Sequence, residues 1–384
     1  MTGRWDLVVV GAGPAGSATA LGALHRDPRL RVLLLDRADF PRDKACGDGI
    51  APHVLDVLTG VGVHGLLDDH VPLRRLTISI AGHVADGPLA RPVWVVPRTE
   101  LDARLVARAE AAGAVRERRR VRSLDELDAR VVVGADGAHS VVRRDLLGSA
   151  PGHRALAIRG YTPAPAAFAG RQVIRYGDRR MPSYAWCFDR GDGLANVGYG
   201  ELIDGDEALT RDLLLGELER LLPGTVARGD AWRAAHLPLS GLPRRHAAGR
   251  VLLAGDAAHL VNPMTGEGIF YAVATGVLAG RAAADAIAAG RPSAAGEAYT
   301  RTVRRLLARH QRHTTLTARL SAVPRVVAAG IDAAARNNGV FDDLVEIGLG
   351  DGTITPRLVG GLVRALARPT PTSHPNEAET SWRS

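Results

Sequence analysis

The sequence predicts an α/β chain with two sheets: a three-layer, Rossmann-like domain interleaved with a mixed or antiparallel β-sheet domain, followed by a helical C-terminal region. Three observations predict it. Residues 6–37 read strand, glycine-rich turn, helix, strand and acid, in that order. Two further apolar strands, near 130–134 and 250–254, each run into a turn containing Gly and Asp. Between these pieces lie the alternating stretches 73–96 and 154–200, which read as strands of a second sheet.

Leu7 to Val10 is a short apolar run of β-formers, the mark of a buried strand. Gly11-Ala12-Gly13-Pro14-Ala15-Gly16 follows and opens an Ala-rich helix. Gly11 permits the tight turn, Gly13 lets the backbone approach a pyrophosphate, and Gly16 lets the helix pack close to the strand. Pro14 stands where its missing N–H costs nothing, and the helix N-terminus offers free N–H groups to phosphates. The second strand, Arg31 to Leu35, ends in Asp36, at the spacing where a carboxylate holds a ribose hydroxyl.

Residues 37–52 form a Pro- and Gly-containing loop around Lys44-Ala45-Cys46-Gly47-Asp48-Gly49. A helical segment is expected from about His53 to Leu67. Another opens after Val96, with Thr99 as N-cap candidate and Asp102 three residues on as an imperfect capping box. Tyr184-Ala185-Trp186-Cys187-Phe188 lies in the second alternating stretch; period two puts Tyr184, Trp186 and Phe188 on one face and Cys187 on the other. Arg250 to Ala254 feeds Gly255-Asp256, then the turn from Asn262 to Ile269, then a long Ala/Gly-rich helix to about Ala289. From Ala298 the pattern is helical and Arg-rich, and 370–384 reads as a frayed tail. The expected domains are 1–72, 97–150 and 245–290 for the dinucleotide fold, 73–96 and 151–244 for the second sheet, and 291–369 for the helical region.

The composition, 46% hydrophobic and 23% charged, suits a globular protein. A formal charge of +8 fits anionic cofactors or an anionic membrane surface, or an Arg-favouring composition. No nucleic-acid motif is present, and 4% aromatics are too few for a base-stacking platform, so no nucleic-acid partner is expected. No apolar run reaches the ~18 residues needed to cross a bilayer, and the chain moves straight into its first strand; a cytoplasmic protein is expected. Two cysteines, Cys46 and Cys187, suggest no structural disulfide, and no Cys/His spacing suggests a metal site.

Together GAGPAG at 11–16, Gly134-Ala135-Asp136-Gly137 and Ala254-Gly255-Asp256-Ala257-Ala258 resemble the FAD-dependent oxidoreductases of the p-hydroxybenzoate hydroxylase fold. The resemblance implies that the first motif holds the ADP half of FAD and that Asp256 bonds the ribityl chain; a plain N-cap is its other reading. It implies that Gly266-Glu267-Gly268-Ile269 presents backbone N–H groups and a helix N-terminus to the flavin pyrimidine edge, where reduced flavin carries negative charge. It also places Arg37, Arg98, Asp136, Gly137, Gly255 and Pro263 among the FAD contacts, with Lys44, Ala45, Cys46 and Gly47. Within that fold, Phe40-Pro41-Arg42-Asp43-Lys44-Ala45-Cys46-Gly47-Asp48-Gly49 resembles the Lys-x-Cys-Gly-x-Gly loop of the geranylgeranyl reductase family, which includes menaquinone reductases. Tyr184-x-Trp186-x-Phe188 and Gly198-Tyr199-Gly200 resemble that family's Tyr-x-Trp-x-Phe-Pro and Gly-x-Gly substrate motifs, except that Asp189 replaces the proline. That carboxylate is expected to reshape the turn or to add a polar end to the cavity.

The family implies hydride transfer from reduced flavin, plus a proton, to a carbon–carbon double bond of a prenyl or other apolar polyene. NAD(P)H, another reductant or an electron-donor protein would recharge the flavin. Cys46 and Tyr184 are the acid candidates by residue type, and Trp186 or Tyr184 could steady a cationic carbon. Plainer readings stand beside these. Cys46 reads also as a small buried residue, the aromatic trio as a core stripe, Arg98 as a helix-start salt bridge, and Lys44 with Arg42 as solvated loop cations. His259 is expected to be structural. The competing function is a monooxygenase working through a flavin hydroperoxide; a flavoprotein that only binds lipid is the third. Residues 298–320, with Leu306, Leu307 and Leu316 among six arginines, read as a basic amphipathic helix able to lie on an anionic membrane, or to pack its leucines inward.

Overall fold

The computed structural model describes residues 5–148, 155–203, 208–240 and 246–368. In chain order, β1 (Trp5–Val10), α1 (Pro14–Arg26) and β2 (Val32–Asp36) make the first βαβ unit. β3 (Gly49–Ile50) and α2 (Pro52–Thr59) lead to the hairpin of β4 (Leu73–Ile80) and β5 (His83–Val95). α3 (Arg98–Ala111), β6 (Val115–Arg118), β7 (Ala129–Gly134) and α4 (Val141–Leu147) follow. Next come β8 (Ala155–Pro163), β9 (Gln172–Tyr176), β10 (Tyr184–Asp189), β11 (Leu194–Leu202), α5 (Arg211–Leu221) and β12 (Asp230–Leu237). The chain returns through β13 (Ala247–Ala248) and β14 (Val251–Leu253) to α6 (Ile269–Ala288). It ends in α7 (Ala295–Leu320), α8 (Pro324–Arg336), α9 (Asn338–Leu349) and α10 (Pro356–Leu366). The expected tail, 370–384, lies outside the described residues.

The strands form two sheets. The first has the order β13-β14-β7-β1-β2-β6, with β1 parallel to both β2 and β7 and only the β13 edge antiparallel. Its strands are almost continuous Val and Leu because both faces are covered. α1 lies directly on α6, and glycine makes that possible: a Cβ at Gly276 would stand 2.3 Å from the Ala15 carbonyl oxygen, and one at Gly280 would stand 2.1 Å from that of Thr19. The second sheet has the order β12-β8-β11-β10-β9-β4-β5-β3. One part of it packs on α5, with Cys187 buried facing Leu214 and Leu218. The β4–β5 hairpin instead packs on α8, α9 and α10 through Leu73, Leu76 and Val93 against Ile331, Phe341 and Leu358. β3 pairs with β5 and so carries the loop after Cys46 onto the second sheet.

Two local expectations are corrected. The helix expected at 53–67 ends at Thr59, where the Gly60 N–H donates to the Asp56 carbonyl. Val61, Val63, Leu66 and Leu67 are buried all the same, which produced the helical spacing. Gly62 and Gly65, at φ +80° and +63°, turn the chain between them. Thr99 does not cap α3: the helix starts at Arg98 with Pro97 in the N-cap position, two residues earlier, and the Pro97 carbonyl already accepts from Glu100 and Leu101.

Candidate functional site

A cavity of about 1190 Å³ runs from the carboxyl ends of β1 and β2, beneath the loop 42–49, past the face of β10, and out between α7, α8, α9 and α10. At its first end Gly11, at φ +98°, brings the turn against β7; a Cβ there would stand 2.3 Å from the Ala135 carbonyl oxygen. Gly13, Pro14 and Ala15 stand on the wall. Gly16 does not: its Cα touches the Gly11 carbonyl, and a Cβ would stand 1.7 Å from that oxygen. No side chain caps α1, so its first N–H groups need another acceptor. Asp36 and Arg37 form the floor. The Asp36 carboxylate accepts from the N–H of Ala12 and of Ala38, each at 2.9 Å, and each oxygen keeps acceptor capacity.

Arg98 is buried and grips Asp102 by two bonds of 2.7 and 2.9 Å. Arg42 reaches the same carboxylate at 3.2 Å. A Cβ at Gly13 would stand 3.1 Å from Arg42 Nη2 and 3.8 Å from Arg98 Nη2, so two guanidiniums share one carboxylate beside the glycine turn. The salt-bridge reading of Arg98 and its place on the cavity wall therefore coexist. Lys44 spans the cavity to Asp256, 3.1 Å away, and Ala45, Cys46 and Gly47 continue the wall.

The turn of Pro263, Gly266, Glu267, Gly268 and Ile269 stands opposite. Glu267 accepts from the Phe270 N–H at 2.9 Å, capping α6. Burial pushes its carboxyl up to about 7, against the pull of the Phe270 and Ile269 amides. Gly255 stays behind the wall, against Ala15 and Ala272. Asp136 and Gly137 stand on it, but the Asp136 carboxylate is turned to α4, accepting from the Ser140 hydroxyl and the Val141 N–H at 2.5 and 2.7 Å. These bonds tie the carboxylate to the start of that helix.

On β10 the rings of Tyr184, Trp186 and Phe188 follow one another at 6.0 and 6.4 Å, all facing the cavity. The Tyr184 hydroxyl donates to the Thr265 carbonyl, and burial raises its pKa. Gly198, expected to touch substrate, lies beneath Trp186 instead. It is paired opposite Trp186 across β10–β11, and a Cβ would stand 2.2 Å from the indole. Gly200 does reach the wall. Asp189 lines no part of the cavity; it accepts from the Gly170 and Gly191 N–H groups at 2.6 and 2.9 Å and so holds two turns together. Of its two expected effects, reshaping the turn is the one present.

A family model described as "FAD binding domain" matches residues 222–313. A menaquinone reductase of Mycolicibacterium smegmatis is 34% identical over 73% of this chain and 76% of its own. A geranylgeranyl diphosphate reductase of Rhodobacter capsulatus is 32% identical over 76% and 78%. The crystal structure of a geranylgeranyl bacteriochlorophyll reductase-like protein from Thermoplasma acidophilum superposes with a TM-score of 0.75 at 20% identity, covering 96% of this chain and 97% of its own. The chain belongs to the geranylgeranyl reductase family of FAD-dependent oxidoreductases.

FAD fits the first half of the cavity. The uncapped start of α1 and the paired guanidiniums over Gly13 suit a pyrophosphate, and Arg42 Nε is buried with no hydrogen-bond partner among the described residues. Asp36 has the acceptor capacity for a ribose, and Asp256 with Lys44 offers polar groups midway along the wall.

Sequence reasoning missed two features of this family member. One is a buried group below Cys46: Asp48, Tyr161 and Asn196, where Tyr161 and Asn196 donate to one Asp48 oxygen at 2.6 and 2.8 Å. The other is the apolar far end of the cavity, walled by Val327, Ile331 and Ala334 of α8, Leu344 of α9 and Leu358 of α10. The spacing 327, 331, 334 is a helical stripe that could have signalled the second.

Proposed function

We propose that this enzyme reduces carbon–carbon double bonds of a prenyl chain or another long apolar polyene. The observation that carries this reading is the continuity of the FAD end of the cavity, past the aromatic face of β10, with a chamber walled by aliphatic side chains of α8, α9 and α10. The names of the relatives, one for a quinone and one for a prenyl diphosphate, agree with it. An isolated alkene has no carbonyl to take up charge, so its reduction adds a hydride to one carbon and a proton to the other. Reduced FAD, when bound, supplies the hydride.

The chain's own residues do the rest. Cys46 holds a proton on Sγ at the cavity wall; burial raises its pKa and keeps the thiol intact. Trp186 and Tyr184 face the reacting carbons and steady positive charge there. The aliphatic wall excludes water. Tyr184, Trp186, Phe188 and Gly200 bind the substrate, and the expected 73–96 and 151–244 segments form its domain together with the helical region 291–369. NAD(P)H or an electron-donor protein recharges the flavin, with the loop carrying Arg42 and Lys44 as its approach.

The substrate would be met at an anionic membrane. No described helix is long and apolar enough to cross one. Leu316 and Leu320 of α7 and Val359 of α10 are exposed while standing on the cavity wall, and Val323, Val363 and Leu366 are exposed nearby in sequence. The test of function is anaerobic: reduce the bound flavin, add prenyl lipids one at a time, and follow reoxidation. A lipid that reoxidises the flavin and returns with one double bond fewer supports the reading. Tight lipid binding without reoxidation overturns it, as does, in a separate run under labelled O2, label appearing in the product, which would make the enzyme a monooxygenase.

A further inference from the structure

We propose that Gln172 is a specificity-determining residue of the chamber: its side-chain amide hydrogen-bonds a neutral carbonyl or hydroxyl oxygen that the substrate carries close to the double bond held over Trp186. The inference rests on the reading that a prenyl chain occupies the chamber. It adds which kind of head that chain bears and which of its double bonds is presented.

The placement follows from the register of the second sheet. Gln172 opens β9, paired with Phe188 of β10 on one side and with Leu76 of β4 on the other. Directly paired residues share a face, so Gln172 stands with the aromatic strip, on the cavity wall. Ile174, opposite Trp186, and Tyr176, opposite Tyr184, continue that face. Gln172 is only 3% exposed, yet its side-chain amide has no hydrogen-bond partner among the described residues. The Cys46 loop closes over this spot through its glycines. A Cβ at Gly49 would stand 3.4 Å from the Gln172 amide nitrogen and 3.9 Å from the Phe188 ring. One at Gly47 would stand 3.6 Å from Phe188 and from Trp186 Nε1. The free amide therefore lies beside the loop of Cys46 and one strand over from the aromatic rings.

A buried amide left unpaired costs free energy that an apolar residue would not. Its surroundings offer nothing to bond: Leu76, Ile78, Ala85, Val93 and Ile174 share this part of the wall. Among the described residues, β4, β5, β9, β10 and α7 to α10 put no charged side chain on the cavity wall. A diphosphate or carboxylate placed here would lose its water and meet no counter-charge. A neutral oxygen loses less, and the amide, with two N–H donors and an acceptor oxygen, replaces the bond to water. A chain of carbon alone leaves the amide unpaired, and a buried polar group rejects in this way the analogue that lacks its partner. The same bond sets the register of the chain. Gln172 is diagonal to Trp186 across β9 and β10, a spacing of roughly 7–8 Å. An oxygen held there places the double bond nearest to it over Trp186. The rest of the chain then runs along the aliphatic wall of α8, α9 and α10.

The experiment uses the FAD-loaded protein and three probes: a short-chain menaquinone, geranylgeraniol and squalene, which carry a quinone carbonyl, a hydroxyl and no oxygen. Binding to the oxidised enzyme is read by calorimetric titration, so no turnover is needed. Gln172→Met keeps the length of the side chain and removes its amide. It should weaken binding of the menaquinone or of geranylgeraniol about tenfold, the order of one hydrogen bond, and leave squalene unchanged. The probe that loses affinity tells a carbonyl from a hydroxyl. Flavin content and urea midpoint should match wild type, since the amide bonds nothing in the protein; if Gln172→Met fails to fold, Gln172→Leu takes its place. An equal loss for all three probes, or no loss for either oxygen-bearing one, overturns the proposal. With the flavin reduced, wild type should return a product saturated only at the double bond nearest the oxygen, and the variant a mixture of positions, read by fragmentation mass spectrometry. A mixture from wild type, or the same single product from the variant, overturns the assigned register. If binding depends on Gln172 as stated while no probe reoxidises the flavin, the functional reading fails and the selection by Gln172 stands.

Discussion

Cys46 and Asp36 carry the most specific residue-level expectations. Cys46→Ser leaves the FAD wall intact, because the Asn196 amide donates to the backbone carbonyl of residue 46 and a serine hydroxyl can accept the Asp48 N–H in place of Sγ. FAD occupancy should therefore stay normal while single-turnover reoxidation falls by about a hundred- to ten-thousand-fold, the usual worth of a general acid. An unchanged rate would return the thiol to a packing role. Asp36→Ala removes an acceptor from the Ala12 and Ala38 amides and from the ribose position. FAD affinity, followed by flavin fluorescence, should weaken by about 1.5–3 kcal/mol, the range for a charge-assisted bond. Both residues were legible because each belongs to a contiguous motif. Asp48 was not. Its partners Tyr161 and Asn196 are 113 and 148 residues away, and only the pairing of β8, β11 and the Cys46 loop brings them together. Gly198 was misread for a related reason: a glycine near a binding face can serve the ligand or the aromatic ring beside it, and only the register of β10 against β11 distinguishes the two.

At the scale of elements, α1, β2 and β10 were legible from period and glycine spacing, since each buries a face that the pattern itself defines. The helix expected at 53–67 failed because buried turns and helices can share apolar spacing, with Gly60, Gly62 and Gly65 deciding between them. The α1–α6 contact offers a direct test. Small residues let the two backbones meet, and that contact sets where the uncapped start of α1 and the start of α6 stand relative to each other. Gly280→Leu forces a side chain against the Thr19 carbonyl and the Ala23 nitrogen. It should lower stability by about 1–3 kcal/mol, the usual effect of overpacking, read as a shift in the urea midpoint, and it should reduce FAD retention at the same time. Loss of stability with full FAD retention would mean that the helix pair is scaffold alone.

For the whole molecule, the FAD half was legible from three motifs, whereas the chamber was not, because amphipathicity says that a helix buries a face but not against what. α7 shows the difference. Leu306 and Leu307 pack inward on the first core, as one of its two readings held, while Leu316 and Leu320 stand exposed on the cavity wall. The region proposed to meet a membrane thus moves from the middle of the helix to its end, where Val323 and Val359, Val363 and Leu366 of α10 are also exposed. Arg319, Arg325 and Arg364 are exposed on the same three helices. A prenyl lipid dissolves poorly in water, so a mouth of exposed aliphatics flanked by arginines is suited to take it from a bilayer. Each basic residue near an anionic surface contributes about 1 kcal/mol, and salt screens it. Co-sedimentation with phosphatidylglycerol vesicles at low salt should retain the protein, and high salt should release it. Val363→Glu, which adds a charge at a residue that is 58% exposed, should abolish retention while leaving flavin content unchanged. If neutral and anionic vesicles retain the protein equally at low salt, or if Val363→Glu binds as wild type does, the mouth does not meet a membrane and the substrate arrives by another carrier.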